Sequence, residues 1–160
     1  MKATAGRTGS ADTTNTEAQL KAAIRGYQGR QNMQIAITGL YAGILALFLL
    51  ALAINVTMHR AKLKVPMGDG GNPQMLRMIR LHGNAAEYVP LGLLLMAILE
   101  INGGWHWALH AAGIALVVGR LLQSWGMWTS HMPNFGRVSG QSLTWLTIAA
   151  LAVLNLWKIA

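Results

Sequence analysis

The feature that most constrains this chain is a run of 24 residues, Ile35 to Met58, that contains no charged side chain. A helix of this length can cross the ~30 Å of hydrocarbon in a bilayer. Three further long apolar stretches follow, interrupted by only two carboxylates and one arginine. We therefore predict four membrane-spanning helices, over residues 35–58, 81–101, 107–127 and 138–157.

The composition supports a membrane protein. Hydrophobic residues make up 53% of the chain and charged residues 11%, whereas soluble domains carry about 25% charged residues. The segments lack the period-2 alternation of membrane strands, so the expected fold class is all-α, an integral membrane four-helix bundle. The net charge of +8 is then interpreted as basic loops at a membrane surface, because no nucleic-acid motif is present.

The connections predict how the helices are arranged. The Gly103-Gly104 turn is so short that the second and third spans must be antiparallel neighbours. By the positive-inside rule, the basic connection of residues 59–80 and the loop holding Arg137 should face the cytoplasm. Trp105, Trp107 and Trp157 would then mark one interface. The other would hold Trp125, Trp128 and Trp145.

Residues 1–32 do not match this layout, because they hold five cations on the side that should be less positive. One interpretation is that Met33 is the original start and that a flexible arm of 32 residues has been added before it. The alternative is a native arm in which Glu17 to Tyr27 forms a short interfacial helix. No function is assigned to the arm, and residues 33–160 are expected to form the membrane domain.

Polar residues inside the spans carry the functional signal, because a charge near the bilayer centre costs ~2.5–3.5 kcal/mol on insertion scales and usually faces a bundle interior or a cavity. On a helix, one stripe about a quarter of the circumference wide leads from the basic connection into the membrane. Its members are Arg77, Arg80, Asn84, Glu87 and Leu91, with Tyr88 at the edge. Such a stripe is typical of a site for a small anionic ligand.

Counting equal distances from the Gly103-Gly104 turn places Arg120 at the depth of Glu87. Two interpretations of this match are open. The two residues form a buried ion pair that only locks two helices, or they share a cavity with Arg80 and Asn84 in which an ionic ligand completes the pairing. The chain has no cysteine, and no carboxylate lies at ligand spacing from His106 or His110, so we expect no metal site.

The residues from Arg80 to Pro90, Arg-Leu-His-Gly-Asn-Ala-Ala-Glu-Tyr-Val-Pro, resemble the second-helix signature of the MAPEG family, the membrane-associated proteins in eicosanoid and glutathione metabolism. The resemblance covers residues 33–160 and is strongest to the short bacterial members, which implies a bacterial inner membrane. It includes the Gly-Asp-Gly-Gly-Asn-Pro loop and the Gly-Arg-Leu-Leu segment of the third span.

This resemblance implies a homotrimer that binds glutathione, its co-substrate, between neighbouring subunits near the cytoplasmic face. By similarity, Arg80, Asn84, Glu87 and Tyr88 would hold the tripeptide, with Arg77 nearby. Arg120 would line the same site and is the expected catalytic residue. The implied activity is a glutathione transferase or peroxidase that acts on a lipophilic small molecule, and membrane lipid is the other expected partner.

The sequence departs from the family pattern at the thiol-activating position. In the eicosanoid-synthesising members an arginine past the third-helix motif stabilises the glutathione thiolate, but residues 125–130 here contain none. Arg120, Ser124 or Thr129 would take that role, or the thiol is bound without strong activation. The alternatives are a non-catalytic membrane trimer with a structural Glu87–Arg120 pair, and a small transporter or proton relay.

Overall fold

The chain is described by a computed structural model that covers residues 16–24, 35–129 and 135–159, and within these ranges it forms five helices and no strand. A short helix, α1, covers residues 16–24. Four long helices follow: α2 Ala36–Leu63, α3 Pro73–Ile101, α4 His106–Trp128 and α5 Phe135–Ile159. Each long helix has the length and hydropathy of a membrane span. The predicted all-α fold with four spans is confirmed.

The helices extend beyond the predicted spans on both sides of the connection between α2 and α3. The first span continues to Leu63, and α3 begins at Pro73 instead of Leu81. Asn72 starts α3 by accepting hydrogen bonds from the backbone N–H groups of Gln74 and Met75, and Pro73 occupies the first helical position, where its missing N–H costs nothing. Most of the connection over residues 59–80 is therefore helical, and only residues 64–72 turn between α2 and α3.

The bundle is built around α3 and α4, which both contact α2 and α5, whereas in the described residues α2 and α5 do not contact each other. The α4–α5 pair packs most extensively. A Cβ atom on Gly140 would overlap the backbone of Gln123 and Gly119, so the two helices approach each other closely only because this position is glycine. Across the bundle, the ring of Tyr41 packs against Gly113 in the same way.

The start of α2, the α3–α4 turn and the end of α5 lie at one end of the bundle. Glu100 accepts hydrogen bonds from the backbone N–H groups of Ile37 and Thr38, at 2.9 and 2.8 Å. The ammonium group of Lys158 donates to the carbonyl of Gly103 at 3.2 Å. We name this end the turn end, and the opposite end, which holds residues 64–72, the basic end.

The tryptophans follow the predicted layout in part. Trp105 contacts Trp107 and Trp157, with ring centroids 6.3 Å apart in both pairs, so these three cluster at the turn end as predicted. Trp128 ends α4 at the basic end. Trp145 lies ten residues inside α5, because that helix begins at Phe135 and not at Val138.

The chain divides into two units, residues 1–34 and residues 35–160, and in the first of them the structure describes α1 alone. Helix α1 carries an ion pair between Glu17 and Lys21 at 3.9 Å, with both side chains exposed. The helix overlaps the interfacial helix that was one of the two interpretations of the arm. Residues 25–27 of that expected helix lie outside the described residues.

Candidate functional site

A groove of about 430 Å³ opens at the basic end of the bundle. Its walls combine residues from α3, α4 and α5: Pro73, Leu76, Arg77, Arg80, Asn84, Met127 and Arg137. Three of the residues predicted from the sequence, Arg77, Arg80 and Asn84, are brought together here because they lie within one stripe of α3. We refer to this cavity as the arginine groove.

Two of the three arginines in the groove wall carry charge that no described residue compensates. Within the described residues, neither the Arg77 nor the Arg80 guanidinium has a hydrogen-bond or ion-pair partner. Each guanidinium presents five N–H donors in a planar fork that matches a carboxylate. The groove is therefore suited to a small anion with more than one acceptor group.

Arg137 is a wall residue that the sequence analysis placed in a loop and did not assign to the site. It lies two residues after Phe135, the first residue of α5. Its position at the same end of the bundle as Arg77 and Arg80 could have placed it in the site. The predicted fourth span began at residue 138 and left Arg137 in the preceding loop, whereas α5 begins at Phe135.

Arg120 lies beneath the groove and not on its wall, because its side chain is only 1% exposed. Its Nε and Nη2 atoms donate to the hydroxyl of Thr144, at 3.1 and 2.5 Å, and Nη1 donates to the carbonyl of Asn84 at 3.3 Å. The Asn84 amide contacts the sulfur of Met127 at 4.0 Å. These neighbours hold the Arg120 guanidinium in the bundle interior and separate it from the groove.

Tyr88 completes the surroundings of Arg120. The guanidinium carbon lies 5.5 Å from the centroid of the Tyr88 ring, within the range of a cation–π interaction. The contacts to Asn84 and Tyr88 show that Arg120 lies at the predicted depth along α3. Tyr88 is thus part of the interior cluster and does not line the groove.

The ion pair between Glu87 and Arg120, one of the two interpretations of their matching depth, does not form within the described residues. Glu87 is exposed on the outer surface of the bundle, and no ion pair joins it to Arg120 in the described residues. The physical reason is the orientation of α3. Its buried face follows Leu81, Ala85 and Val89, and at about 100° per residue this places Glu87 almost opposite the core. The non-catalytic alternative, a membrane trimer with a structural Glu87–Arg120 pair, therefore has no such pair within a single described chain.

Thr144 was not identified from the sequence, although it holds Arg120 in place. It is fully buried and donates its own hydroxyl proton to the carbonyl of Gly140 at 3.0 Å. An equal-distance count between the end of α4 at Trp128 and the start of α5 at Phe135 places Arg120 level with residue 143, next to Thr144. The same depth count used for the first hairpin would therefore have identified it.

A second buried polar contact follows one turn along the α4–α5 interface. The Gln123 amide, 4% exposed, donates to the side-chain oxygen of Gln141 at 2.6 Å. Of the other residues considered for thiol activation, Ser124 is partly buried on α4, and the Thr129 hydroxyl donates to the carbonyl of Gly126 at 3.0 Å. Neither Ser124 nor Thr129 lines the arginine groove.

Comparisons with known proteins give the family. Residues 38–157 match the sequence profile of the MAPEG family. The chain is also 38% identical over 121 residues to the inner membrane protein YecN of Escherichia coli (strain K12), over 76% of this chain and 91% of that protein. YecN of E. coli O6:H1 (strain CFT073) gives the same values. With four membrane-spanning helices and this match, the chain is an integral membrane protein that belongs to the MAPEG family.

Proposed function

We propose that the chain binds glutathione in the arginine groove and uses its thiol against a lipophilic electrophile, as a membrane glutathione transferase or peroxidase. The observation that carries the proposal is the pair of unpartnered guanidinium groups, Arg77 and Arg80, in a groove of about 430 Å³. This volume lies in the usual range for small-ligand sites. Glutathione has two carboxylates, and two arginines can bind them with charge-assisted hydrogen bonds.

The buried guanidinium of Arg120 below the groove also favours a negatively charged ligand. Arg120 has neutral partners only, the Thr144 hydroxyl, the Asn84 carbonyl and the Tyr88 ring, so its charge is not cancelled among the described residues. In a medium of low dielectric constant this charge attracts an anion in the groove more strongly than it would in water. We propose that Arg120 acts through this field and lowers the energy of a bound thiolate.

The apolar part of the groove supports a lipophilic second substrate. Leu76 and Met127 lie in its wall, and Leu76 is exposed at the bundle surface. A molecule dissolved in the bilayer can approach along this surface without crossing water. The proposed reaction therefore joins a polar thiol from the aqueous side to an apolar electrophile from the membrane.

Glu87 supports an oligomer, and we propose a homotrimer on the family resemblance. Glu87 is the central residue of α3, 14 residues from both Pro73 and Ile101, so its exposed carboxylate lies about 21 Å from either helix end. An ionisable group facing lipid at this depth is unfavourable. A neighbouring copy would cover it, and Glu87 would then contribute to a site between subunits, where the glutathione ammonium is its expected partner.

The proposal includes an orientation in the membrane. Arg60, Lys62 and Lys64 at the end of α2, with the three arginines of the groove, make the basic end the more positive end of the bundle. The positive-inside rule places this end in the cytoplasm. The arginine groove would then open toward the compartment in which glutathione is synthesised and kept reduced.

A glutathione titration in detergent, followed by thermal unfolding, tests the proposed ligand. We expect the wild-type chain to be stabilised progressively as glutathione is added, because a ligand that binds only the folded state raises its stability. Arg80→Ala should bind at least tenfold more weakly, since a charge-assisted hydrogen bond is lost. Arg60→Ala is the matched control: its Nη1 atom donates to the Gly68 carbonyl outside the groove, so glutathione binding should be unchanged.

Absence of any glutathione effect on the folded wild-type chain would contradict the proposal. Equal losses in Arg80→Ala and Arg60→Ala would show a response to net charge and not to a site. The transferase reaction is then measured with chlorodinitrobenzene as the lipophilic electrophile. A chain that binds glutathione but forms no conjugate with this or other electrophiles would retain the binding part of the proposal and refute the catalytic part.

A further inference from the structure

A second polar cavity, of about 290 Å³, lies beside the arginine groove at the basic end. It is lined by His59 from α2, Gln74, Arg77 and Met78 from α3, and Trp128 from α4. Arg77 forms the wall that the two cavities share. The remaining residues of this second cavity belong to no part of the proposed glutathione site.

The second cavity presents hydrogen-bond donors that the chain itself does not use. Within the described residues, three donors have no hydrogen-bond partner: the side-chain amide of Gln74, the Arg77 guanidinium and the Trp128 indole N–H. The backbone N–H of Gln74 donates to Asn72. The Nδ1 atom of His59 lies 2.9 Å from the carbonyl of Asn55. A neutral imidazole in this contact donates from Nδ1, so its Nε2 is an acceptor and adds no donor to the cavity.

The surroundings of the second cavity are strongly positive. Residues 59–80 hold Arg60, Lys62 and Lys64 in addition to Arg77 and Arg80, and Asp69 is the only carboxylate in this range. The Asp69 carboxylate already accepts from the backbone N–H of Gly71 at 3.1 Å. An anion that reaches this end of the bundle therefore meets net attraction and several free donors.

The cavity lies where lipid headgroups are found. His59 is in the last two turns of α2, Gln74 is in the first turn of α3 and Trp128 ends α4. Trp128 is exposed, and Met78 supplies an apolar wall on the bundle side. A tryptophan at a span end is typical of the membrane interface, where its ring contacts acyl chains and its N–H faces polar groups.

We propose that this cavity binds the phosphate of an anionic phospholipid, with Arg77 as the charged donor, the side-chain amide of Gln74 as a neutral donor and Trp128 against the upper part of the acyl chains. A soluble phosphate compound would use the same donors. The exposed Trp128 ring and the apolar Met78 wall favour a lipid, because a soluble ligand gains little from them. Anionic lipids also concentrate at basic juxtamembrane segments.

The test uses the full-length chain in maltoside detergent with dioleoylphosphatidylglycerol as the probe. Bound lipid is counted by native mass spectrometry, and stabilisation is followed by thermal unfolding. We expect phosphatidylglycerol to bind and stabilise, and dioleoylphosphatidylcholine, whose headgroup has no net charge, to bind about tenfold more weakly. Glycerol phosphate, which has no acyl chains, should give no stabilisation at equal concentration.

Two variants with the same loss of charge separate a site from a general attraction. Arg77→Gln removes the cation in the cavity and should weaken phosphatidylglycerol binding about tenfold. Lys62→Gln removes an exposed cation outside the cavity and should change binding less than twofold. Gln74→Ala, an exposed side chain, keeps the fold and should weaken binding about threefold.

Several outcomes would overturn the proposal. Equal weakening in Arg77→Gln and Lys62→Gln would assign the lipid to diffuse surface charge. Equal stabilisation by glycerol phosphate would assign the site to a soluble compound. Equal binding of phosphatidylglycerol and phosphatidylcholine would show that the Arg77 cation does not select an anionic headgroup. The lipid and glutathione proposals share Arg77, and variants of the other residues separate them: Gln74→Ala should keep glutathione binding, and Arg80→Ala should keep lipid binding.

Discussion

At the residue scale, the most unusual feature is a fully buried arginine without a carboxylate partner in the described chain. Arg120 is held by one hydroxyl, one backbone carbonyl and one aromatic ring. A buried charge is expensive unless its donors are satisfied. The Thr144 hydroxyl accepts from two of the three guanidinium nitrogens, so most of the compensation depends on a single oxygen atom.

Thr144→Val tests this dependence, because valine has nearly the shape of threonine but no hydroxyl. Two guanidinium nitrogens would lose their acceptor inside the bundle, and we expect a loss of about 1–3 kcal/mol in the free energy of unfolding. Thr144→Ser keeps the oxygen and should lose less than half as much. Reversible unfolding in mixed micelles measures both. A Thr144→Val chain as stable as wild type would contradict the assigned role of the hydroxyl.

At the scale of elements, α2 depends on α3 for its first turn. Ile35 precedes α2 and provides no side-chain cap, so the first N–H groups would be left without acceptors at the membrane interface. Glu100, from the last turn of α3, accepts from two of them. A carboxylate also interacts favourably with the positive end of the helix dipole. The cap therefore connects two helices that are distant in sequence.

Glu100→Ala should lower the free energy of unfolding by about 1–2 kcal/mol, the usual loss when a helix cap is removed. Glu100→Gln retains one acceptor oxygen without the charge, so its free energy of unfolding should lie between those of Glu100→Ala and the wild type. Hydrogen exchange localises the effect: the amides of Ile37 and Thr38 should exchange faster in Glu100→Ala, whereas amides in the middle of α5 should not change. Unchanged exchange at both amides would show that the cap does not stabilise α2.

At the scale of the whole molecule, the sequence predicts the number and order of the helices because uncharged runs long enough to cross a bilayer admit few alternatives. It predicts helix ends poorly, since α2 and α3 continue past the hydrocarbon into the polar headgroup region, where charged residues such as Arg60 and Arg77 no longer interrupt a helix. Asn72 and Pro73 are a typical helix start in the sequence, but a span prediction based on hydropathy does not consider capping residues.

The site was predictable to the extent that it lies on one helix. The stripe of Arg77, Arg80 and Asn84 follows from helical periodicity, and the depth of Arg120 follows from the hairpin count. The direction of Glu87 did not follow, because it depends on which face of α3 is buried. That face is set by packing against α2, α4 and α5, which a single-helix projection does not contain.

Glu87 also lies on an exposed face of α3. Exposed residues recur along α3 at the spacing of one helical face: Glu87, Leu91, Leu94 and Ile98. The three apolar members could face lipid, but the central carboxylate could not do so without cost. In the proposed oligomer, a second copy of the chain would remove the carboxylate from lipid and bury the three apolar side chains in a helix–helix interface.

Single-cysteine cross-linking tests this interface, and the chain is suited to it because it contains no native cysteine. Leu94→Cys, on the proposed interface, should form a disulfide between copies when membranes are oxidised, giving mostly dimers, since one cysteine can join only two chains. Leu47→Cys on α2 is the matched control: Leu94 is 57% and Leu47 70% exposed in the single chain, but Leu47 should face lipid and give little dimer. Light scattering of the detergent-solubilised wild type should report three copies. A monomer in mild detergent, or equal cross-linking at both positions, would contradict the assembly and leave the exposed Glu87 carboxylate without a partner.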